Sequence, residues 1–288
     1  MRRAKYFRRT LVGIALYAAM VPAVLAQDSK VKSGEPLVVG TNFGLAPWIM
    51  QGPSGPEGFA VDVTTEIAKR LGRPGFEILD INFSGLFAAL FGGRIEFTNT
   101  LLNITEERST QMLYTEPLLA TGRGFVVRAG DVLDNFEELS GKVVAVNRGT
   151  IDDSWAGDNA EKYGFTVERY DSFPDAVQAV ITGRAFVAIN EIPTTVYAAS
   201  KNSAIEVAHK DYSGRNFAFA FRNDDVQFRN QVEEIIECLK LNGTLHDLHT
   251  KWYGSPPTPG SAMDVVYFGF GPPGFVGHAP TAHVPACD

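Results

Sequence analysis

Cysteine is scarce in this chain: Cys238 and Cys287 are the only two. Two thiols exclude a disulfide-built scaffold and a four-thiolate zinc site. Histidine is nearly as rare, with five residues. His246 and His249 stand three apart on a helical stretch, but no third ligand is close in sequence. A solvated helix face is the reading taken, and no metal is expected. There is no H-E-x-x-H, no Walker loop and no G-x-S-x-G. The common signatures of zinc peptidases, P-loop hydrolases and α/β-hydrolases are therefore missing, and no cofactor is expected. Positive charge is in deficit: 26 Lys and Arg against 33 Asp and Glu give a net charge of −7. With no basic stripe, nucleic acid is not an expected partner. No apolar run after residue 25 reaches membrane-spanning length.

The positive charge that is present crowds at the start. Arg2, Arg3, Lys5, Arg8 and Arg9 precede an apolar run from Leu11 to Leu25. Val24-Leu25-Ala26 places small residues where a signal peptidase cuts, so residues 1–26 read as a secretory signal peptide. The run is shorter than the ~20 residues of a membrane span. Cleavage near Ala26 would take the net charge from −7 to −12 and leave an exported, soluble protein.

The mature chain alternates strand and helix signals. Leu37–Gly40, Phe76–Leu79, Val143–Val146 and Phe186–Ile189 read as strands. Helices are predicted over Asp62–Leu71, around Leu86–Phe91, from Thr150, over Phe173–Thr182 and between Asp225 and Trp252. This alternation predicts an α/β fold with parallel sheets covered by helices. The repetition falls into two blocks. Two extended segments, 122–128 and 214–221, read as crossings between them. Lobe 1 is then 37–121 with 222–254, and lobe 2 is 129–213, with a cleft between them. Residues 255–288 hold seven prolines and five glycines, a composition that predicts a mobile tail. Gly269-Phe270-Gly271-Pro272-Pro273-Gly274 matches a dinucleotide-binding pattern only in letters, because no helix follows its two prolines. An exported location permits a Cys238–Cys287 bond, which spacing alone does not establish.

Four segments carry the chemistry: Gly40–Trp48, Gly58–Asp62, Thr100–Arg108, and Val146–Thr150 with the later Gly183–Glu191. With Asn242-Gly243-Thr244 and Lys251-Trp252-Tyr253-Gly254, they make the chain resemble the periplasmic solute-binding proteins of the polar amino-acid uptake family, from about Leu37 to Gly254. The resemblance implies a type II periplasmic-binding fold whose two lobes close on a small ligand. It also implies a periplasmic location, a monomer, and the permease of an ABC importer as partner. Arg108 matches the arginine that clamps the ligand α-carboxylate, a task suited to two parallel donors. Glu191 matches the aspartate for the α-ammonium group. Asn103 stands at a common hydroxyl position, and Leu101 at one that offers its backbone. Thr150, with Asp153, fits a capping box that would open a helix toward an anion. Asn42 stands where members preferring cationic amino acids often carry an acid. Phe59 and Trp48 are the candidates for stacking, since Leu45 replaces a frequent aromatic. Asn147 and Arg148 fall near the side-chain end. Together these residues point to a neutral polar or acidic amino acid and to no catalytic residue. The alternative is an enzyme on the same fold, a cyclohexadienyl-dehydratase-like protein with Glu191 as general acid. A sensory accessory subunit is a third option.

Overall fold

The computed structural model describes residues 34–285 and 287; the expected leader, residues 1–26, lies outside the described residues. The chain opens with β1 (Leu37–Thr41), the hairpin β2 (Met50–Gly52) and β3 (Gly55–Glu57), and α1 (Phe59–Arg70). β4 (Phe76–Asp80), α2 (Phe83–Phe91), β5 (Phe97–Asn103), the short α3 (Glu106–Ser109) and β6 (Met112–Tyr114) complete the first set. β7 (Leu119–Arg128) leads into β8 (Val143–Asn147), α4 (Ile151–Tyr163), β9 (Thr166–Tyr170), α5 (Phe173–Ile181), β10 (Val187–Glu191) and α6 (Ile192–Lys201). β11 (Ile205–Arg222) returns to the first set, followed by α7 (Val226–Leu241) and α8 (Thr244–Tyr253).

The strands run in the order β4-β1-β5-β11-β7-β10-β8-β9, with β6 also on β11. β1 is parallel to β4 and β5, and β8 is parallel to β9 and β10. β1 and β8 are short apolar runs because helices cover them. α1 supplies such a cover: Phe59, Val63 and Ile67 recur at helical spacing and are buried. Two parallel sets thus flank two long antiparallel strands, which gives two lobes. β7 and β11 belong to both. Arg123–Val127 of β7 pairs with β10, whereas Phe217–Arg222 of β11 pairs with β5 and β6. Their mutual register breaks between Asp211 and Arg215, opposite Gly122. A Cβ at Gly122 would lie 2.3 Å from the Asp211 carbonyl oxygen, so only glycine permits the two backbones this approach.

The segment after Gly254, expected to be mobile, is packed on lobe 1. Ala262, Met263 and Phe270 are buried, and Cys238 is disulfide-bonded to Cys287. The Lys240 ammonium group donates to the carbonyls of Ala262 and Val265 at 2.7 and 2.8 Å and pairs with Glu116 at 2.7 Å. Composition misled because it counts prolines and glycines. The anchors are side chains of α7, a segment whose charged residues read as an ordinary helix face.

Candidate functional site

The C-terminal ends of β5 and β10 and the N-terminus of α4 converge on one small cavity. Arg108, Asn103, Phe83 and Leu45 line it from one side, and Glu191, Asn190, Asn147, Thr150, Ile151 and Asp152 from the other. β5 delivers Asn103 at its last residue, and the helical turn α3 follows at once. Thr105 caps that turn by accepting from the Arg108 amide at 3.1 Å, which sets the direction in which Arg108 leaves the backbone. The Arg108 guanidinium lies over the rings of Phe83 and Phe87, 5.7 and 5.3 Å from their centroids. Among the described residues it has no ion-pair partner. Burial lowers its pKa, opposed by Tyr114 and Glu191, and a guanidinium stays charged regardless.

Glu191 ends β10 and is buried. Its Oε1 accepts from Asn103 Nδ2 and its Oε2 from the Thr121 hydroxyl, both at 2.6 Å. Burial, reinforced by the neighbouring Asp152, pushes its pKa up to about 8. The hydrogen bonds from Thr121 and Asn103 oppose that rise without cancelling it. Asp152 is itself buried. It sits 3.0 Å from Arg123 and 4.0 Å from Arg215, and burial raises its pKa against those cations.

Thr150 caps α4 as expected, but the reciprocal bond of the capping box falls on Gly149 instead of Thr150. Thr150 Oγ1 accepts from the Asp153 amide at 3.1 Å, and Asp153 Oδ2 accepts from the Gly149 amide at 3.0 Å. Gly149 has φ of 79°, and a Cβ there would sit 3.3 Å from Ser84 of the facing lobe. The lobes also meet through Asn147 Nδ2, which donates to Asn42 Oδ1 at 3.0 Å. Leu101 lies on β5, two residues before Asn103.

Three candidates sit elsewhere. Trp48 and Phe59 are core residues: both are buried, their rings are 5.2 Å apart, and the Trp48 indole donates to the Asn99 carbonyl at 2.7 Å. Aromatic bulk fills a core more often than it faces a ligand. Arg148 is half exposed, turns to Asp171 at 3.6 Å and donates to the Arg169 carbonyl at 3.2 Å. The neighbouring Asn147 ends β8 on the cleft side, so the next residue leaves on the other. Sequence reasoning missed Phe83, Ile151, Asp152, Asn190 and Thr121. Asp152 carried a usable signal, an acid at the second helical position beside the expected anion site. Phe83 carried none, because it reads as part of an apolar helix face.

Residues 37–255 match the family of bacterial extracellular solute-binding proteins, family 3. The chain belongs to this family. Among its members, the L-cystine-binding protein TcyJ of Escherichia coli (strain K12) is 26% identical over 268 residues, 90% of this chain and 100% of that one. An ancestral arginine-binding protein bound to arginine superposes with a TM-score of 0.72 at 27% identity, covering 76% of this chain and 98% of the other. The ancestral amino-acid-binding protein AncCDT-1, a precursor of cyclohexadienyl dehydratase, superposes with a TM-score of 0.70 at 27% identity, over 76% and 95% of the two chains. The two-lobed α/β architecture is that of these family 3 relatives. Among the described residues no helix is long and apolar enough to cross a membrane.

Proposed function

We propose that this solute-binding protein captures a zwitterionic amino acid between its lobes in the periplasm. It acts there as a monomer and presents the ligand to the permease of an ABC importer. The observation that carries this reading is the placing of Arg108 and Glu191 on opposite walls of one cavity, with Arg108 in no ion pair among the described residues. Arg108 takes the α-carboxylate, aided by the N-terminus of α4. Glu191 takes the α-ammonium group, and Asn103 orients Glu191. The break in register at Thr121–Arg123 and Asp211–Arg215 serves as the hinge. The side-chain end is neutral, since Asn42 and Asn147 carry no charge and Asn147 donates to Asn42. The cavity's other carboxylate, Asp152, is committed to Arg123, which leaves no acid for a cationic ligand side chain. A neutral polar or acidic amino acid fits best.

A thermal-shift screen of the chain from Gln27 onward against the twenty amino acids, small dicarboxylates and prephenate tests the reading. A true ligand at 100 times its Kd adds about 2.7 kcal/mol. Stabilisation by a neutral polar or acidic amino acid is expected. Stabilisation by none of the twenty would contradict it. Turnover of prephenate would favour the enzyme with Glu191 as general acid, an alternative the relatives' names as binding proteins do not favour.

A further inference from the structure

The family match ends at residue 255, yet α7 commits one side-chain group after another to the segment beyond it. The Arg229 guanidinium donates to the Gly277 carbonyl at 3.4 Å and to the Tyr114 carbonyl at 2.8 Å. Glu233 Oε1 accepts from the Gly271 amide at 2.6 Å. The Glu237 carboxylate meets His283 Nε2 at 2.9 Å. Cys238 is bonded to Cys287, and Lys240 holds the carbonyls of Ala262 and Val265. Taking this many charges out of water is costly unless each is paired. A tail without a task needs none of it.

The pinned segment leads to the back of the ligand-binding wall. Phe275 packs on the apolar cluster that contains Phe83, Leu102, Ile104, Met112 and Tyr114. A Cβ at Gly277 would lie 2.9 Å from Leu113, so the backbone rests directly on β6. The front of the same cluster is the cleft. Phe83 lines the cavity and carries the Arg108 guanidinium. The Tyr114 hydroxyl donates to the Asn103 carbonyl at 3.1 Å, and Asn103 in turn holds Glu191. From Gly277 through Arg229, Tyr114 and Asn103 to Glu191, every link is a hydrogen bond.

We propose that the C-terminal segment is a disulfide-anchored brace that holds Asn103 and Arg108 in their binding geometry. Phe275 is then a positioning residue of a site that it does not touch. A wall fixed before binding loses less freedom when the ligand arrives, and affinity rises accordingly. The ligand part of this inference rests on the amino-acid reading above; the brace itself does not.

The test uses the full mature chain, with Phe275→Ala, Phe275→Leu and a Cys238→Ala/Cys287→Ala pair. Amide hydrogen exchange of the protein without added ligand is read over residues 103–114 and, as the folding control, over 187–191 of β10. In Phe275→Ala and in the cysteine pair, exchange over 103–114 should quicken by about tenfold while 187–191 stays unchanged, a local opening. Phe275→Leu should restore protection. Calorimetry with L-glutamine and L-glutamate should show a matching fall in affinity in Phe275→Ala. If neither binds the wild-type protein, those ligands are wrong and the exchange still decides the brace. Unchanged exchange over 103–114, or an equal rise in both regions, would overturn it. If the cysteine pair does not fold, the two Phe275 variants suffice.

Discussion

Arg108 lies over two phenyl rings and, among the described residues, forms no ion pair, so in the proposed reading its donors serve a ligand. Arg108→Lys keeps the charge but replaces a planar fork by a point donor. Hydrogen bonds to charged groups are worth about 1.5–3 kcal/mol, so affinity should fall at least about tenfold while the melting temperature of the free protein holds. Titration calorimetry and a thermal melt together check this. Glu191 adds a pH dependence. Its pKa in the free protein is about 8 because of burial and Asp152, so at pH 7 it is mostly protonated. A ligand ammonium group favours the carboxylate and lowers that pKa, so binding expels the proton. At pH 7 about one proton should be released per ligand bound, and affinity should rise up to tenfold per pH unit below pH 8 and level off above it. Calorimetry in buffers of different protonation enthalpy measures the release. Glu191→Gln should abolish it.

At the scale of elements, α7 and the segment it anchors form one structural unit. The disulfide closes a loop of 49 residues, for which chain entropy gives about 4 kcal/mol. Cys287→Ser should therefore lower stability by about 2–4 kcal/mol in urea unfolding. A mobile tail would have predicted no change. The sequence made the parallel sets legible because buried strands are apolar runs between helices. α1 reads correctly but begins at Phe59, three residues ahead of the expected start, because Phe59 is core. β5, β9 and α6 went unread. β5 carries Thr98, Asn99 and Thr100 in a buried strand, where polar residues hide the pattern. Of the cavity's lining, Arg108, Asn103, Asn147, Thr150 and Glu191 are legible in the sequence, each in a short motif near the end of an element. Trp48, Phe59 and Arg148 were misplaced because side-chain direction depends on which face of the next strand or helix is covered. The tail's docking was hidden for the same reason: its partners are 20 to 50 residues away on α7.

Over the whole molecule, the two parallel sets and the two long strands between them turn side-chain chemistry into a clamp. Arg108 and Asn103 belong to one lobe and Glu191, Asn147 and the start of α4 to the other, so in the proposed reading a ligand charged at both ends bridges the cavity. Such a ligand favours the closed arrangement by its differential contacts alone. The hydrogen bonds from Asn103 to Glu191 and from Asn147 to Asn42 mark where the lobes engage. The central claim is that each lobe holds one end of a zwitterion. It is tested most directly by calorimetric titration with one amino acid that stabilises the protein, alongside its carboxamide and its N-acetyl derivative. Each derivative keeps the side chain and removes one charge. Both should bind at least about tenfold more weakly, since each loses a charged hydrogen bond. Equal affinity of either derivative and the parent amino acid would contradict the account.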